Sequence, residues 1–268
     1  MRVIRKFAIA AITLPVALGL GAAAAYGATG VDYTEIPLSQ GELDANWSTD
    51  RAVPSGGYGS VTFEGRSDVL EVRIDKDNRS QSSSFFYTEG ILRQVDAVAA
   101  TKIDLYVDPD WLDGRDVRAG FWGVGHDDNG DRTSFPIVEF TTAGDGDFTG
   151  WRVWDDLTGW HNHPEIPYEA GEWSTLEIEL TEAGSTFDLT IDGSPATSSA
   201  AGTTNIGEVI VNSFNYGSAA QSYDVHWSNF ATGDVITLDS KDDCKNGGYE
   251  AFGFKNQGQC VSSLMTNR

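Results

Sequence analysis

The stretch from Arg118 to Asp156 contains the side chains whose types and spacing best suit chemistry. Apolar residues alternate with other residues along it, and two Gly-rich segments, DDNGD and AGDGD, interrupt the alternation, which predicts three β-strands. Every second residue of a strand points to the same side of a sheet. One side then collects apolar residues, and the other collects indoles and charged groups: Arg118, Trp122, His126, Glu139, Arg152 and Trp154. We expect the second side to be a ligand-binding face.

The mixture of residue types on this face suits a carbohydrate. Indole rings stack on the apolar C–H faces of sugar rings, and guanidinium, imidazole and carboxylate groups exchange hydrogen bonds with hydroxyls. The alternative is that the Trp residues form a second small core beneath loops and that the charged groups pair with one another.

Glu139 is the candidate for a catalytic residue on the same face. Glycoside hydrolysis needs two carboxylates at a fixed separation, and Glu139 is the only carboxylate in its predicted strand, PIVEFTT. Asp156 or Glu89 could supply a partner from a neighbouring strand, although the spacing does not show this. A lyase would instead need a base and a neutralising cation, for which His126 and Arg118 are suitable types. Enzymatic activity is left open.

Asp127, Asn129 and Asp131 alternate in the segment HDDNGD, as oxygen ligands of calcium often do. The dipeptide Asn129-Gly130 is also the strongest short signal for a hairpin turn, and the full twelve-residue calcium loop is missing. We expect a turn here and keep a structural calcium ion as the alternative. The sequence indicates no required cofactor.

The segment HNHPE contains His161, His163 and Glu165, which have the donor atoms for a metal site. The spacing is not specific, and turn chemistry around Pro164 is the expected explanation. A role at the rim of the binding face stays open.

Residues 1–28 have the pattern of a secretory signal peptide, with basic residues, then an apolar run, then small residues. We therefore expect a secreted or cell-surface protein, with no membrane span once this leader is removed. The formal net charge of −22 makes nucleic acid and anionic lipid surfaces poor partners. Neutral glycans are not disfavoured by this charge.

Short strands separated by turn signals follow one another from Ser60 to Leu238, and no stretch shows sustained helical periodicity. This pattern predicts an all-β antiparallel sandwich, and the length suits one domain spanning residues 29–238. The 40% of hydrophobic residues is enough to fill a core.

Three segments, GEWSTLEIEL, STFDLTIDG and SYDVHWSNFATG, resemble the final strands of concanavalin A-like lectin/glucanase domains, including their LamG-like members. The resemblance extends from about Val31 to Leu238, but only these segments are distinctive. It implies a jelly-roll sandwich of two antiparallel sheets, one of them concave. It implies fold more firmly than activity, because that scaffold carries lectins, glycosidases, lyases and adhesive modules. Glucanases of this group have an E-x-D-x-E run on one strand, which is absent here.

Residues 239–268 form a separate C-terminal segment with the only two cysteines, Cys244 and Cys260. In an exported chain we expect these cysteines to form a disulfide. The segment resembles a C-K-N-G-G-aromatic…F-G-F-K-N-Q-G-x-C-V tail of secreted and surface bacterial proteins. That resemblance implies an exported context and no known chemistry.

Together these observations predict a secreted protein that binds a glycan on the concave sheet of a β-sandwich. The first alternative is a polysaccharide-degrading enzyme, either a hydrolase or a lyase, that uses the same groove. The second is a structural or adhesive surface module without a sugar site.

Overall fold

The computed structural model describes residues 29–79, 88–114, 116–144, 147–181, 186–215 and 221–266, without the side chains of residues 29, 143, 144, 265 and 266. The predicted signal peptide, residues 1–28, lies outside the described residues. We number the strands in chain order. Within the described parts of the chain, no helix is long and apolar enough to cross a membrane.

Among the described residues, one antiparallel sheet, which we call the back sheet, has eight strands. They are β1 (Thr29–Glu35), β3 (Tyr58–Phe63), β4 (Arg66–Ile74), β6 (Ala100–Tyr106), β12 (Trp173–Leu180), β13 (Thr186–Ile191), β14 (Ser194–Ser199) and β16 (Tyr223–Thr237). Their spatial order is β14-β13-β12-β6-β16-β4-β3, with β1 paired to the last part of β16.

The second antiparallel sheet, the front sheet, also has eight strands within the described ranges. They are β2 (Trp47–Asp50), β5 (Thr88–Val98), β7 (Arg118–His126), β8 (Arg132–Ser134), β9 (Ile137–Gly144), β10 (Phe148–Asp155), β11 (Gly159–Asn162) and β15 (Asn205–Phe214). Their order is β11-β10-β9-β7-β15-β5-β2, and β8 pairs with β7. The three predicted strands therefore lie side by side as β7, β9 and β10.

The main core lies between the two sheets and confirms the predicted all-β antiparallel sandwich of the jelly-roll type. Strand neighbours that are distant in sequence, such as β7 beside β15 and β6 beside β16, show that the chain crosses repeatedly between sheets. The side chains predicted to face inward are fully buried: Ala119, Phe121, Val138, Phe140, Trp151 and Val153. Because alternate residues of a strand point to opposite sides, the other set lies on the outer face of the front sheet.

Short helices close gaps around the sandwich. Helix α1 (Gln40–Asn46) begins after Ser39, whose side chain accepts a hydrogen bond from the Glu42 N–H, and it buries Leu43 in the core. A 3₁₀ helix (Pro109–Leu112) likewise places Trp111 in the core. Helix α2 (Gln257–Thr266) lies in the C-terminal segment.

The C-terminal segment has its own small core. Cys244 and Cys260 form a disulfide, as predicted, with their Cα atoms 5.8 Å apart. Both cysteines pack with Leu238, and partly buried aromatic residues surround this cluster, which is separate from the core between the sheets. The segment lies against β1, because a Cβ atom added at Gly30 would fall 1.8 Å from the Ala251 carbonyl oxygen.

Candidate functional site

The outer face of the front sheet is organised in rows that the strand register sets. Residues paired across neighbouring strands lie side by side. One row is mainly apolar and consists of Leu92, Ile210, Trp122, Ile137, Trp154 and Trp160. The next row is mainly polar and consists of Gly90, Asn212, Gly120, Glu139, Arg152 and Asn162. An aromatic row therefore runs directly beside a row of hydrogen-bonding groups.

A pocket of about 280 Å³ opens on these rows. It is lined by Arg51, Thr88, Arg118, Trp122, Phe135, Ile137, Glu139, Trp154, Asp156, Trp160 and Asn212. Four of the six residues predicted to bind ligand are in this lining, and Trp122 and Trp154 share the same pocket.

Aromatic rings form the walls of the pocket. Trp154 and Trp160 meet edge to face with their ring centroids 5.5 Å apart, and Trp122 meets Phe135 in the same way at 6.5 Å. The carboxylate of Asp156 joins the two walls, since it accepts hydrogen bonds from Trp154 Nε1 (2.8 Å) and from the Phe135 N–H (2.7 Å). The orientation of the indole of Trp154 is thus fixed by a hydrogen bond and by a neighbouring ring.

Guanidinium groups stack on two aromatic rings of the front sheet, those of Trp122 and Phe214. The Arg51 guanidinium lies 4.5 Å from the Trp122 ring centroid, and its Nε donates to the Asp50 carboxylate at 2.7 Å. The Arg118 guanidinium lies 4.1 Å from the ring of Phe214. Such stacking holds planar cations against ring faces and leaves their edges available for hydrogen bonds.

Arg152 lies beneath the pocket and does not line it. It is 1% exposed, and its Nε donates to Glu139 Oε1 at 2.7 Å, while its second terminal nitrogen, Nη2, lies 2.6 Å from the same oxygen. Its guanidinium also lies 3.9 Å from the Trp160 ring centroid. Arg152 therefore supports Trp160 and Glu139 from below. Glu139 Oε2 accepts no hydrogen bond from any of the described residues.

Asn212 enters the site because two glycines make room for it. A Cβ atom at Gly120 would lie 2.4 Å from Asn212 Oδ1, and one at Gly90 would lie 2.8 Å from the Asn212 Cβ. Asn212 Oδ1 accepts a hydrogen bond from Trp122 Nε1 at 3.2 Å. The amide of Asn212 thus orients Trp122 and presents a polar group beside the aromatic row.

His126 is not brought to the pocket. It follows Trp122 by four residues along β7, which corresponds to roughly 13 Å in an extended strand. Its Nε2 lies 3.8 Å from Glu208, and that carboxylate also accepts from Gln94 at 2.7 Å and pairs with Arg132 at 2.6 Å. His126 therefore belongs to a separate polar cluster on the same face.

Asp127, Asn129 and Asp131 form a hydrogen-bonded turn, and calcium binding by these three residues stays a prediction. Asp127 Oδ1 accepts from the N–H groups of Asn129 and Asp131, both at 2.9 Å, and Oδ2 accepts from the Asn129 amide at 3.1 Å. The Asp131 N–H and the Asn129 amide hold the pKa of Asp127 below its usual value. Among the described residues, no group of three or more His, Cys, Asp and Glu could hold a metal ion.

All three carboxylates considered for catalysis accept hydrogen bonds from other residues in the structure. Glu139 is paired with Arg152, and both oxygens of Asp156 accept hydrogen bonds from the pocket walls. Glu89 is buried away from the pocket lining, where it accepts from the Ser55 N–H and the Asn215 amide. Only Glu139 and Asp156 of the three line the pocket.

A second and more open cleft of about 540 Å³ lies between the edges of the two sheets. It is lined by Asp155, Thr158, His161, His163, Pro195, Ala196 and Thr197. Asp155 bridges the sheets here. Its Oδ1 accepts from the N–H groups of Leu157 and Thr158 and from the Thr158 hydroxyl, and its Oδ2 accepts from the N–H and hydroxyl of Ser199 in β14. Burial opposes its ionisation, but the hydrogen bonds from Ser199 and Thr158 outweigh burial and hold the pKa of Asp155 far below its usual value.

The sequence pattern does not identify several of the residues that line the pocket. Trp160 lies outside the stretch from Arg118 to Asp156, in β11, where it pairs with Trp154. Asn212 and Arg51 come from segments far away in the chain, and only the sheet order brings them beside Trp122. The turn signal Asp155–Gly159 followed by Trp160 is the one local sign of the β10–β11 hairpin.

Comparison with known proteins gives matches in structure alone. No protein-family model matches the sequence, and no curated protein matches it. A GlcNAcα1-4Gal-releasing endo-β-galactosidase from Clostridium perfringens is similar in structure, with 12% identity and a TM-score of 0.53 over 77% of this chain and 63% of that chain.

Two further solved structures match less closely. One is described as a sialidase, with 14% identity and a TM-score of 0.44 over 82% of this chain, and the other is a marine alginate lyase from Aplysia kurodai, with 12% identity and a TM-score of 0.48 over 78% of this chain. The match covers 19% of the sialidase chain and 99% of the lyase chain. This chain thus spans about a fifth of the sialidase and 63% of the endo-β-galactosidase. At these identities, the likeness to the endo-β-galactosidase shows a shared fold.

Proposed function

We propose that this protein binds a glycan in the pocket on the front sheet. The observation that carries the proposal is the aromatic row Trp122, Trp154 and Trp160, which lies beside the polar row containing Asn212 and Glu139. Indole faces suit the apolar side of a sugar ring, and the polar row offers both donors and acceptors to hydroxyls. The likeness to an endo-β-galactosidase supports this class of ligand by analogy of fold alone.

The charges around the pocket favour a neutral sugar. Arg51 pairs with Asp50, and Arg152 pairs with Glu139, so these cations are already balanced inside the protein. A polyanionic glycan would also meet the net charge of −22. For a neutral ligand we expect the affinity to change by less than about twofold between low and high salt, because no long-range charge attraction contributes.

The size of the pocket favours a short saccharide or the end of a chain. Its volume of about 280 Å³ lies at the lower limit of small-molecule pockets, which span about 300–1,000 Å³. One or two sugar rings can therefore be enclosed between the aromatic walls.

A glycan array tests the proposal, followed by calorimetric titration of the strongest hit. We expect Trp154→Ala and Trp160→Ala to weaken binding by at least about tenfold each, since central aromatic residues dominate binding energy. Trp173→Ala is the matched control, because this indole packs under Arg66 on the outer face of the back sheet. Circular dichroism verifies that each variant is folded.

Two results would contradict the proposal. One is equal, weak signal across neutral and acidic glycans on the array. The other is a loss of binding in Trp173→Ala as large as that in the two pocket variants, since the pocket would then not be the site.

Polysaccharide cleavage at the same pocket is the second candidate function. It is supported by the two carboxylates in the lining, Glu139 and Asp156. Incubation with polysaccharides, followed by assay for reducing ends or unsaturated uronates, tests it. Product release that is unchanged in Glu139→Gln would remove Glu139 from a catalytic role.

We also propose that the protein acts outside the cytoplasm. The Cys244–Cys260 disulfide supports this location, since stable disulfides belong mainly to oxidising compartments. The predicted signal peptide also supports a location outside the cytoplasm. Detection of the protein in the culture medium or on the cell surface, and its absence there when residues 1–28 are deleted, tests the location.

A further inference from the structure

The cleft between the sheet edges contains two histidines that the proposed glycan pocket does not use. His161 and His163 are two residues apart, and the His163 N–H donates to the Trp151 carbonyl oxygen at 2.9 Å. The chain thus continues to pair with β10 after β11 ends at Asn162. Residues two apart in an extended strand point to the same side, and both imidazoles accordingly line the same cleft.

Neighbouring hydrogen bonds determine which nitrogen of His161 has the proton. The Thr158 hydroxyl donates its single proton to Asp155 Oδ1 at 2.7 Å, because an ionised carboxylate only accepts. Thr158 Oγ1 must therefore accept from His161 Nε2, which lies 2.7 Å away. In a neutral imidazole the other nitrogen, Nδ1, then keeps its lone pair.

The same reasoning applies to His163 with the opposite nitrogen. His163 Nδ1 lies 2.7 Å from Glu165 Oε1, so Nδ1 donates and Nε2 keeps its lone pair. Metal-binding histidines almost always donate their second nitrogen to a carboxylate or another acceptor in this way, which fixes the ring and raises its basicity. Both rings of this pair have such a partner.

We propose that His161 and His163 together bind a divalent transition metal ion, such as Zn²⁺, Cu²⁺ or Ni²⁺, through His161 Nδ1 and His163 Nε2. Imidazole nitrogen suits these ions better than Mg²⁺ or Ca²⁺. Cα atoms two residues apart in a strand are roughly 6.6 Å apart, a span that two imidazoles can bridge with metal–nitrogen bonds of about 2.0–2.1 Å.

With two protein ligands the remaining coordination positions belong to water. The site then has fewer protein ligands than a structural zinc site, which has four, and it exchanges its metal readily. The proposal does not depend on the glycan function, because the cleft and the pocket have no lining residue in common.

Calorimetric titration of the metal-stripped protein with Cu²⁺ tests the site. Excess Mg²⁺ in the buffer occupies the acidic surface, so that general attraction to the net charge of −22 is suppressed. We expect one Cu²⁺ per chain and a fall in affinity of at least about tenfold in His161→Ala and in His163→Ala, since even the partners behind metal ligands contribute about 10–100-fold. Glu165→Gln keeps an acceptor and should cause a smaller fall.

His126→Ala is the control, because His126 lies in the cluster with Glu208 and away from the cleft. Electron paramagnetic resonance adds an independent readout: nitrogen hyperfine structure from two imidazoles in the wild type and from one in His163→Ala. The proposal is wrong if the protein binds no Cu²⁺ under these conditions. It is also wrong if His161→Ala and His163→Ala bind Cu²⁺ like the wild type, or if the spectrum shows oxygen ligands only.

Discussion

At the scale of single residues, the buried pair Arg152–Glu139 determines how the candidate site should be probed. Both side chains are almost fully buried, and each is the charge partner of the other. Removing one member of such a pair leaves an uncompensated buried charge, which costs more than the pair contributes. A substitution of Glu139 therefore changes stability as well as any chemistry.

We predict that Glu139→Gln lowers the free energy of unfolding by about 3 kcal/mol, because Arg152 loses its counter-charge. Urea denaturation followed by tryptophan fluorescence measures this change. The double variant Glu139→Leu, Arg152→Met should recover most of the loss, since it leaves no buried charge. If the double variant is less stable than Glu139→Gln, the charge argument is wrong.

Gly120→Ala tests the part of the pocket that contains Asn212. The added Cβ would fall 2.4 Å from Asn212 Oδ1, which is the end of a flexible side chain, so we expect the chain to fold. Asn212 must then move and give up its hydrogen bond to Trp122. We expect glycan affinity to fall by about tenfold, which corresponds to about 1.4 kcal/mol, or one such hydrogen bond.

The control for this variant is Gly41→Ala in helix α1, where an added Cβ meets no atom within 4 Å. Gly41→Ala should leave glycan affinity unchanged. Titration of both variants with the same ligand compares them. Equal affinity of Gly120→Ala and the wild type would show that Asn212 has no part in binding.

At the scale of elements, the β10–β11 hairpin is held in place by Asp155. This carboxylate accepts hydrogen bonds from Leu157 and Thr158 within the turn and from Ser199 in the other sheet. It therefore ties the hairpin that carries Trp154 and Trp160 to the edge of the back sheet.

We predict that Asp155→Asn lowers the free energy of unfolding by about 2 kcal/mol near neutral pH, because the amide nitrogen cannot accept the hydrogen bonds of Ser199 or Thr158. The folded-state pKa of Asp155 lies below its unfolded value. Its stabilising effect is thus complete above the unfolded pKa of about 3.9 and is lost as the pH falls towards the folded pKa.

Urea denaturation of the wild type and of Asp155→Asn over a range of pH measures both the loss of stability near neutral pH and its dependence on pH. The difference between the two proteins should shrink as the pH is lowered from about 6 to about 2.5. A difference that stays constant over this range would show that ionised Asp155 is not the stabilising species.

The strands of the front sheet show how much of the candidate site the sequence alone predicts. The alternation in β7, β9 and β10 correctly predicts that Trp122, Trp154 and Glu139 share a face, because strand periodicity is a local property. Trp160 and Asn212 are not predicted, because their places depend on which strands pair. His126 shows the limit of the same reasoning. Its position in β7 places its side chain on the same face as Trp122, but the distance along the strand separates it from the pocket.

At the scale of the whole molecule, the sandwich and the C-terminal segment have separate cores. The segment's cluster of Leu238, Cys244 and Cys260 has no member in common with the core between the sheets. The predicted boundary between the sandwich domain and the C-terminal segment at residue 238 stays a prediction. It can be tested directly, because each part has its own core.

We predict that the double variant Cys244→Ser, Cys260→Ser unfolds the C-terminal segment without unfolding the sandwich. A cross-link between cysteines 16 positions apart contributes about 3 kcal/mol, a large share of what so small a core can supply. Limited proteolysis with mass spectrometry detects the unfolded segment. All eight tryptophans precede residue 239, so their near-ultraviolet circular dichroism reports on the sandwich alone.

The near-ultraviolet signal of the double variant should melt at the wild-type temperature. A fall in that melting temperature of more than about 4 °C, which corresponds to at least about 1 kcal/mol in a domain of this size, would show that the segment and the sandwich unfold as one unit.

Strand β16 leads directly into the C-terminal segment and pairs with β4, β6 and β1 along its 15 residues. A pulling force applied through that segment would therefore act along the length of an interior strand. The hydrogen bonds on both of its sides would bear the load together and in shear, instead of opening one after another. We therefore expect the molecule to resist tension applied at its C-terminal end, which force spectroscopy can measure directly.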